Sequence, residues 1–151
     1  MERINNAMLR LIISIAIVLF VIFYPMLISI YVFLPLFIGV MGFILVEGIE
    51  RGKIHYILVS VVYFLNLEIN LSLPFLLTII SSLSFYAIFY KYLSYFRKCT
   101  ICKPVIAVFI LDLTYLGLLL FYDLAMQTHS IVLDSILLYS LIVDLLVVVI
   151  I

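Results

Sequence analysis

Two aspartates lie inside strongly apolar stretches of the sequence, and they are the residues best placed to do chemistry. Asp112 lies within 104–122 and Asp144 lies within 131–150. An ionisable group in hydrocarbon is costly and usually faces the interior of a helical bundle. In antiparallel helices both aspartates would lie roughly 10 to 12 Å from the same boundary. We therefore expect an intramembrane polar pair, which either holds a proton or a cation or forms a structural hydrogen bond between helices.

A second group of polar side chains alternates with apolar residues between positions 66 and 74. A period of two is typical of extended backbone, so the sequence predicts an extended segment between two helices. This segment is interpreted either as a tight connection or as a surface for a partner or ligand. The candidate surface residues are Asn66, Glu68, Asn70 and Ser72, of which Glu68 alone is charged.

Cys99 and Cys102 have the spacing of half a zinc site or of a redox pair. A structural zinc site needs four ligands, and the chain has no other cysteine, while its two histidines are remote from the pair. We expect two reduced thiols, with four thiolates across a dimer as the alternative. The sequence therefore predicts no metal site within one chain and no cofactor.

The motifs of common catalytic sites are missing from the sequence. It has no phosphate-binding glycine loop, nucleophile elbow or HExxH motif, and no convincing pairing of serine with histidine inside a span. A net charge of zero also argues against a nucleic-acid partner. We expect a protein that is not an enzyme.

The elements that position these residues must be membrane helices. Hydrophobic residues make up 69% of the chain, charged residues make up 11%, and the mean hydropathy is +1.48. No soluble fold covers such a composition. The sequence predicts an all-α membrane protein in which residues 1–151 form one polytopic domain. Its six short spans are approximately 8–25, 28–46, 54–68, 73–91, 104–122 and 131–150.

The first span is read as retained, because no small-residue cleavage site follows it. The long uncharged run from 11 to 46 is divided at Tyr24 and Pro25, since proline removes a backbone donor and disfavours helix in the preceding residue. With six spans, all eight lysines and arginines fall on one face. Short cytoplasmic loops retain basic residues. Both termini are thus predicted in the cytoplasm, with the chain in the bacterial inner membrane and surrounded by lipid.

The segment Gly42-Phe-Ile-Leu-Val-Glu47-Gly-Ile-Glu-Arg-Gly52 resembles the glycine, acid, glycine segment of the rod-shape-determining MreD family. The six-span architecture with short loops is also similar to that family. The resemblance implies a non-enzymatic membrane subunit of the peptidoglycan elongation machinery that determines cell shape. Its implied partners are MreC and an elongation transpeptidase, and other membrane or periplasmic proteins fit the same interpretation.

A transport subunit is the alternative function. Small membrane components of energy-coupled vitamin importers also have six helices in a short chain, and this chain is similar to them in that respect. In this interpretation Asp112 and Asp144 are the coupling residues, while Asn66, Glu68 and Asn70 line a cavity for a small molecule.

Overall fold

The computed structural model describes residues 2–31, 34–93, 102–127 and 135–150, and these ranges contain helices and no strand. The predicted all-α class is confirmed for this part of the chain. The helices in chain order are α1 (Glu2–Ile30), α2 (Ile38–Arg51), α3 (Ile54–Leu71), α4 (Leu77–Leu93), α5 (Cys102–Met126) and α6 (Ser135–Ile150).

Three helical segments are long and apolar enough to cross a membrane. They are Leu11–Ile30 with 20 residues, Ile54–Leu71 with 18 and Cys102–Met126 with 25. Between 22% and 28% of each apolar window is buried inside the bundle, so most of their residues keep some exposed surface. Exposed apolar surface of this extent needs lipid as its solvent. These segments give the chain the character of a membrane protein, and α2, α4 and α6 are shorter.

The break between the first two helices differs from the predicted one. Helix α1 continues through Pro25 to Ile30, and α2 begins at Ile38 instead of at position 28. A proline costs a helix one backbone hydrogen bond, and membrane helices tolerate this loss where neighbouring groups compensate for it. The helical path is interrupted instead around Phe37, whose backbone is left-handed with φ 49°.

Helix α2 lies at the centre of the bundle, where it packs against α3, α4, α5 and α6. Its small residues permit these close contacts, as is usual between helices in lipid. A Cβ atom added at Gly42 would lie 3.2 Å from Ser82 Oγ and 3.3 Å from the methyl groups of Leu111. One added at Gly48 would lie 3.0 Å from Tyr56 Cβ. The glycines thus bring α3, α4 and α5 against one short helix.

The turn from α2 to α3 ends with a glycine in a left-handed conformation. The Lys53 N–H donates to the Gly48 carbonyl at 2.9 Å, and the Gly52 N–H donates to the Ile49 carbonyl at 3.4 Å. Gly52 has φ 64°. This pair of bonds is the Schellman motif, which satisfies the last carbonyls of a helix.

The prediction of an extended segment from position 66 was wrong, because α3 continues to Leu71. Polar and apolar residues alternate in the sequence here, but the residues that are buried recur with the spacing of a helix. Asn70 Nδ2 donates to Asn66 Oδ1 at 2.6 Å, as residues one helical turn apart can. The buried residues of α3 recur at helical spacing, namely Ser60, Tyr63, Phe64, Leu67 and Glu68.

Candidate functional site: a polar junction at the start of α2

Asp144 of α6 binds the first turn of α2. The Gly39 N–H donates to Asp144 Oδ2 at 2.9 Å, and the exposed fraction of Asp144 is 0%. The residue that precedes α2, Phe37, makes no side-chain capping bond. The first amides of a helix lack partners within the helix and carry a partial positive charge. A carboxylate from a helix more than 100 residues away therefore supplies the cap that the local sequence lacks.

Asp112 of α5 reaches the same turn, and its exposed fraction is 9%. A Cβ atom built on Gly39 would lie 2.7 Å from Asp112 Oδ1 and 2.8 Å from Oδ2. The absence of a side chain at Gly39 therefore creates the space that the carboxyl group fills. The structure brings Asp112 and Asp144 together at Gly39.

The irregular segment before α2 is fixed by side chains from three further positions. Tyr24 of α1 donates its hydroxyl to the Pro35 carbonyl at 2.9 Å, and Tyr63 of α3 donates to the Leu36 carbonyl at 2.7 Å. The Leu36 N–H donates to Ser140 Oγ of α6 at 2.9 Å. Irregular backbone at membrane depth needs such partners, because lipid offers none.

We call this site the central junction. It consists of the backbone of residues 35–39 and of five side chains around it, namely Tyr24, Tyr63, Asp112, Ser140 and Asp144.

Two oxygens of the central junction lack a partner. Among the described residues, neither Asp112 Oδ2 nor Asp144 Oδ1 accepts a hydrogen bond, although both atoms are buried. No ion pair in the described ranges involves either residue, since those pairs are Arg51 with Glu47 and Lys103 with Glu50. Each aspartate thus retains an acceptor that a small ligand or a proton can fill.

Glu68 forms a second polar site, at the start of α4. Its Oε2 accepts the Leu76 N–H at 2.7 Å, while Oε1 accepts the Thr78 N–H at 2.9 Å and the Thr78 hydroxyl at 2.6 Å. Its exposed fraction is 2%. Both carboxylate oxygens are therefore occupied by the first turn of the next helix.

The four residues predicted as a partner or ligand surface do not share one surface. Glu68 faces the interior, and Asn66 donates its amide to the Ile22 carbonyl of α1. Asn70 binds Asn66, and Ser72 is exposed in the left-handed turn that ends α3. The reason is the helical course of α3, which turns successive polar residues toward different neighbours.

The segment that resembles MreD is distributed along α2 and its end. Gly42 contacts α4 and α5, Glu47 pairs with Arg51 at 2.5 Å, and Gly52 forms the turn. Glu47 is partly exposed. These three residues have structural positions that differ from one another, and they do not converge.

The cysteine prediction is only partly within the described residues. Cys102 begins α5 and is disulfide-bonded, which differs from the expected reduced thiol. Cys99 lies outside the described residues. Within the described ranges, no three residues of the types His, Cys, Asp and Glu are grouped so that they could hold a metal ion.

An apolar groove runs between α1 and α3, with a volume of about 180 Å³. Its walls are aliphatic, formed by Val18, Val21, Ile22, Leu58, Val59 and Val62. A groove with aliphatic walls suits an alkyl chain or an apolar side chain and offers no hydrogen bond to a polar solute.

No family model, curated protein or solved structure matches this chain. We therefore infer the function from the central junction, from the hydrogen bonds of Glu68 and from the sequence.

Sequence reasoning missed the residues that complete these sites. Ser140 could have been identified from the sequence, because it precedes Asp144 by four residues and so lies on the same helical face. Tyr24 and Tyr63 resemble the other tyrosines of an apolar chain, and nothing local distinguishes them. Thr78 was equally hidden, because its bond to Glu68 joins two different helices.

Proposed function

We propose that this chain is a non-enzymatic integral membrane subunit that serves as a scaffold for a membrane or periplasmic partner. In this proposal it crosses the bacterial inner membrane six times, with both termini in the cytoplasm. The observation that carries the proposal is that five buried side chains bind the backbone of another helix or of the residues that lead into one, namely Tyr24, Tyr63, Glu68, Ser140 and Asp144. In such a bundle the polar side chains stabilise the packing of its own helices.

The bonds of Glu68, Asp144 and Ser140 support this proposal. Each of these side chains satisfies backbone amides that begin a helix or lead into one. Buried polar side chains that are hydrogen-bonded to the backbone of another element rigidify a core. The groove between α1 and α3 is aliphatic, which suits contact with a lipid or with another membrane segment better than passage of a polar solute.

The resemblance to MreD suggests the machinery in which such a scaffold would work. Its partners would be MreC and an elongation transpeptidase, and its role would be to maintain side-wall peptidoglycan synthesis. In the proposed topology the turn between α3 and α4 faces the periplasm. Ser72, Phe75 and Leu76 are exposed there and offer a partner a small, partly apolar surface.

Depletion and rescue test this proposal. Cells depleted of the protein are expected to become round while the uptake of solutes stays normal, and the wild-type gene should restore the rod shape. The variant Phe75→Ser should fail to restore shape although it accumulates in the membrane. Ile54→Ser is the matched control, because Ile54 is 71% exposed and Phe75 is 66% exposed, and in the proposed topology they lie on opposite sides of the membrane. Unchanged shape after depletion would refute the scaffold proposal.

An ion-coupled transport subunit is the second candidate. It is favoured by one specific observation, which is the pair of unpartnered oxygens on Asp112 and Asp144. In such a carrier the aspartates would couple solute movement to an ion. The double variant Asp112→Asn with Asp144→Asn should then abolish uptake of the solute that the wild-type protein imports. Intact cellular activity in a stably folded double variant would eliminate this candidate.

A further inference from the structure

The central junction places two carboxyl groups against the first turn of α2, and each of them keeps one buried oxygen without a partner among the described residues. Asp144 Oδ2 accepts the Gly39 N–H, whereas Asp144 Oδ1 and Asp112 Oδ2 are buried without a partner among the described residues. A buried acceptor without a donor is destabilising, and native proteins rarely leave one so. Two such atoms at one glycine indicate that the junction binds a further hydrogen-bond donor.

The charges around the junction leave the two carboxyl groups uncompensated. The titratable groups near the junction include the hydroxyls of Tyr24, Tyr63 and Tyr139, and the first two already donate to the backbone. The hydroxyl of Tyr115, one helical turn from Asp112 on α5, is buried without a partner among the described residues. No described lysine, arginine or histidine pairs with Asp112 or Asp144. The start of α2 supplies roughly half a positive charge. That charge suits one carboxylate far better than two.

The backbone geometry of residues 35–39 favours a proton over a metal ion as the group bound between the two aspartates. Metal cations need several oxygen ligands. The nearby carbonyls of Pro35, Leu36 and Phe37 are engaged by Tyr24, by Tyr63 and by the amide of Met41, respectively. The group that α2 directs at the aspartates is an N–H donor, which repels a cation. A proton needs no such set of ligands.

We propose that Asp112 and Asp144 form a binding site that retains one proton at the start of α2. The retained proton supplies the donor that the unpartnered oxygens lack, and it leaves a single negative charge to face the positive end of the helix. Gly39 is part of the site, because a side chain there would displace the Asp112 carboxyl group. This inference rests on the geometry of the junction and stands independently of the scaffold proposal.

Infrared spectroscopy of the purified full-length protein at neutral pH tests the proposal. A protonated carboxyl group has a C=O stretching band distinct from the bands of a carboxylate. We expect such a band in the wild-type protein, and we expect it to shift when the aspartates carry 13C in their side-chain carboxyl groups. The band should be lost in Asp112→Asn and in Asp144→Asn.

Two variants serve as controls, and each retains both aspartates of the site. Glu68→Gln should keep the band, because both Glu68 oxygens already accept hydrogen bonds. Asp123→Asn, at the far end of α5, should keep it as well. If one variant of the site does not fold, the labelled wild-type protein and the other variant still decide the outcome.

Three results would overturn the proposal. The first is the absence of any protonated carboxyl band that responds to the aspartate label. The second is a band that survives both Asp112→Asn and Asp144→Asn. The third is a band that disappears when choline chloride is replaced by sodium chloride at constant pH, because a metal cation would then occupy the site.

Discussion

Gly39 is the residue at which α2, Asp112 and Asp144 meet, and its lack of a side chain is a steric requirement. A Cβ atom there would lie 2.7 Å from Asp112 Oδ1 and 2.7 Å from Val108 Cγ1. We predict that Gly39→Ala lowers the free energy of unfolding by about 1 to 3 kcal/mol, the usual cost of overpacking a core. Thermal unfolding in detergent, followed by size-exclusion chromatography, measures the change.

Gly117→Ala is the matched control for this prediction. Gly117 also lies inside a helix, α5, but nothing lies within 4 Å of a Cβ atom added to it. Alanine is the better helix former by up to about 1 kcal/mol, so this variant should be neutral or slightly more stable. Equal stability of the two variants would contradict the close approach of Asp112 to Gly39.

Glu68 holds the start of α4 through three hydrogen bonds. We predict that Glu68→Ala is strongly destabilising, because it leaves the amides of Leu76 and Thr78 without partners at a cost of about 1 to 3 kcal/mol each. Glu68→Gln should have an intermediate stability, since its amide retains one acceptor oxygen. The midpoint of thermal unfolding in detergent orders the three proteins.

Ile69→Ala is the control for the Glu68 series. Ile69 is the next residue of α3, and its side chain is exposed. Truncation there removes surface in contact with detergent or lipid and should leave the unfolding midpoint nearly unchanged. If Ile69→Ala were as destabilising as Glu68→Ala, the capping role of Glu68 would be refuted.

At the scale of elements, the turn between α2 and α3 depends on a backbone conformation that glycine adopts without strain. Gly52 has φ 64°, and nothing lies within 4 Å of an added Cβ atom. Any cost of substitution therefore comes from the backbone. We predict the stability order glycine, then asparagine, then alanine, with Gly52→Ala costing roughly 1 to 2 kcal/mol. Unfolding of Gly52→Asn and Gly52→Ala in detergent tests this order, and a fully stable Gly52→Ala would contradict the left-handed turn.

The existence of the helices could be predicted from the sequence, but several of their ends could not. Hydropathy is a property of each segment, and it indicates where helices occur. The end of a helix depends on which distant group satisfies its last backbone atoms. The bond from Leu36 to Ser140 joins positions 104 residues apart, so the break before α2 could not be placed by inspecting Pro25.

The charged residues of the candidate site could be predicted from the sequence, but the contacts that they make could not. Asp112 and Asp144 were identified because charge is rare in apolar helices, and the structure places both at Gly39. The role of Glu68 was missed, because alternation with apolar neighbours indicated an extended segment. Its true pattern is helical, and its partner Thr78 lies on the next helix.

At the scale of the whole molecule, the proposed crossing of a bilayer by the short helix α2 depends on the central junction. Helix α2 has 14 residues and is therefore about 21 Å long, less than the roughly 30 Å of a hydrocarbon core. The irregular residues 34–37 extend this path. Backbone without helical bonds is tolerated at that depth only when protein groups satisfy it. Tyr24, Tyr63 and Ser140 do so here.

The number of crossings then determines the orientation of the whole molecule. If all six helices cross, both termini lie on one side, and every lysine and arginine lies on that side with them. We predict that a membrane-impermeant maleimide labels His129→Cys in intact cells from which the outer membrane barrier has been removed. Lys98→Cys should be labelled only after the inner membrane is opened. Both variants are made in a background with Cys99→Ser and Cys102→Ser, which removes the native cysteines.

Labelling of Lys98→Cys in intact cells would place a basic segment outside and refute the six-span topology. Labelling of both sites would indicate that α5, the described helix between them, does not cross the membrane, or that the orientation is mixed. The segment from 91 to 103 carries four of the eight basic residues, at Lys91, Arg97, Lys98 and Lys103. Reversing the orientation would require moving all four across the membrane against the bias that retains such loops in the cytoplasm.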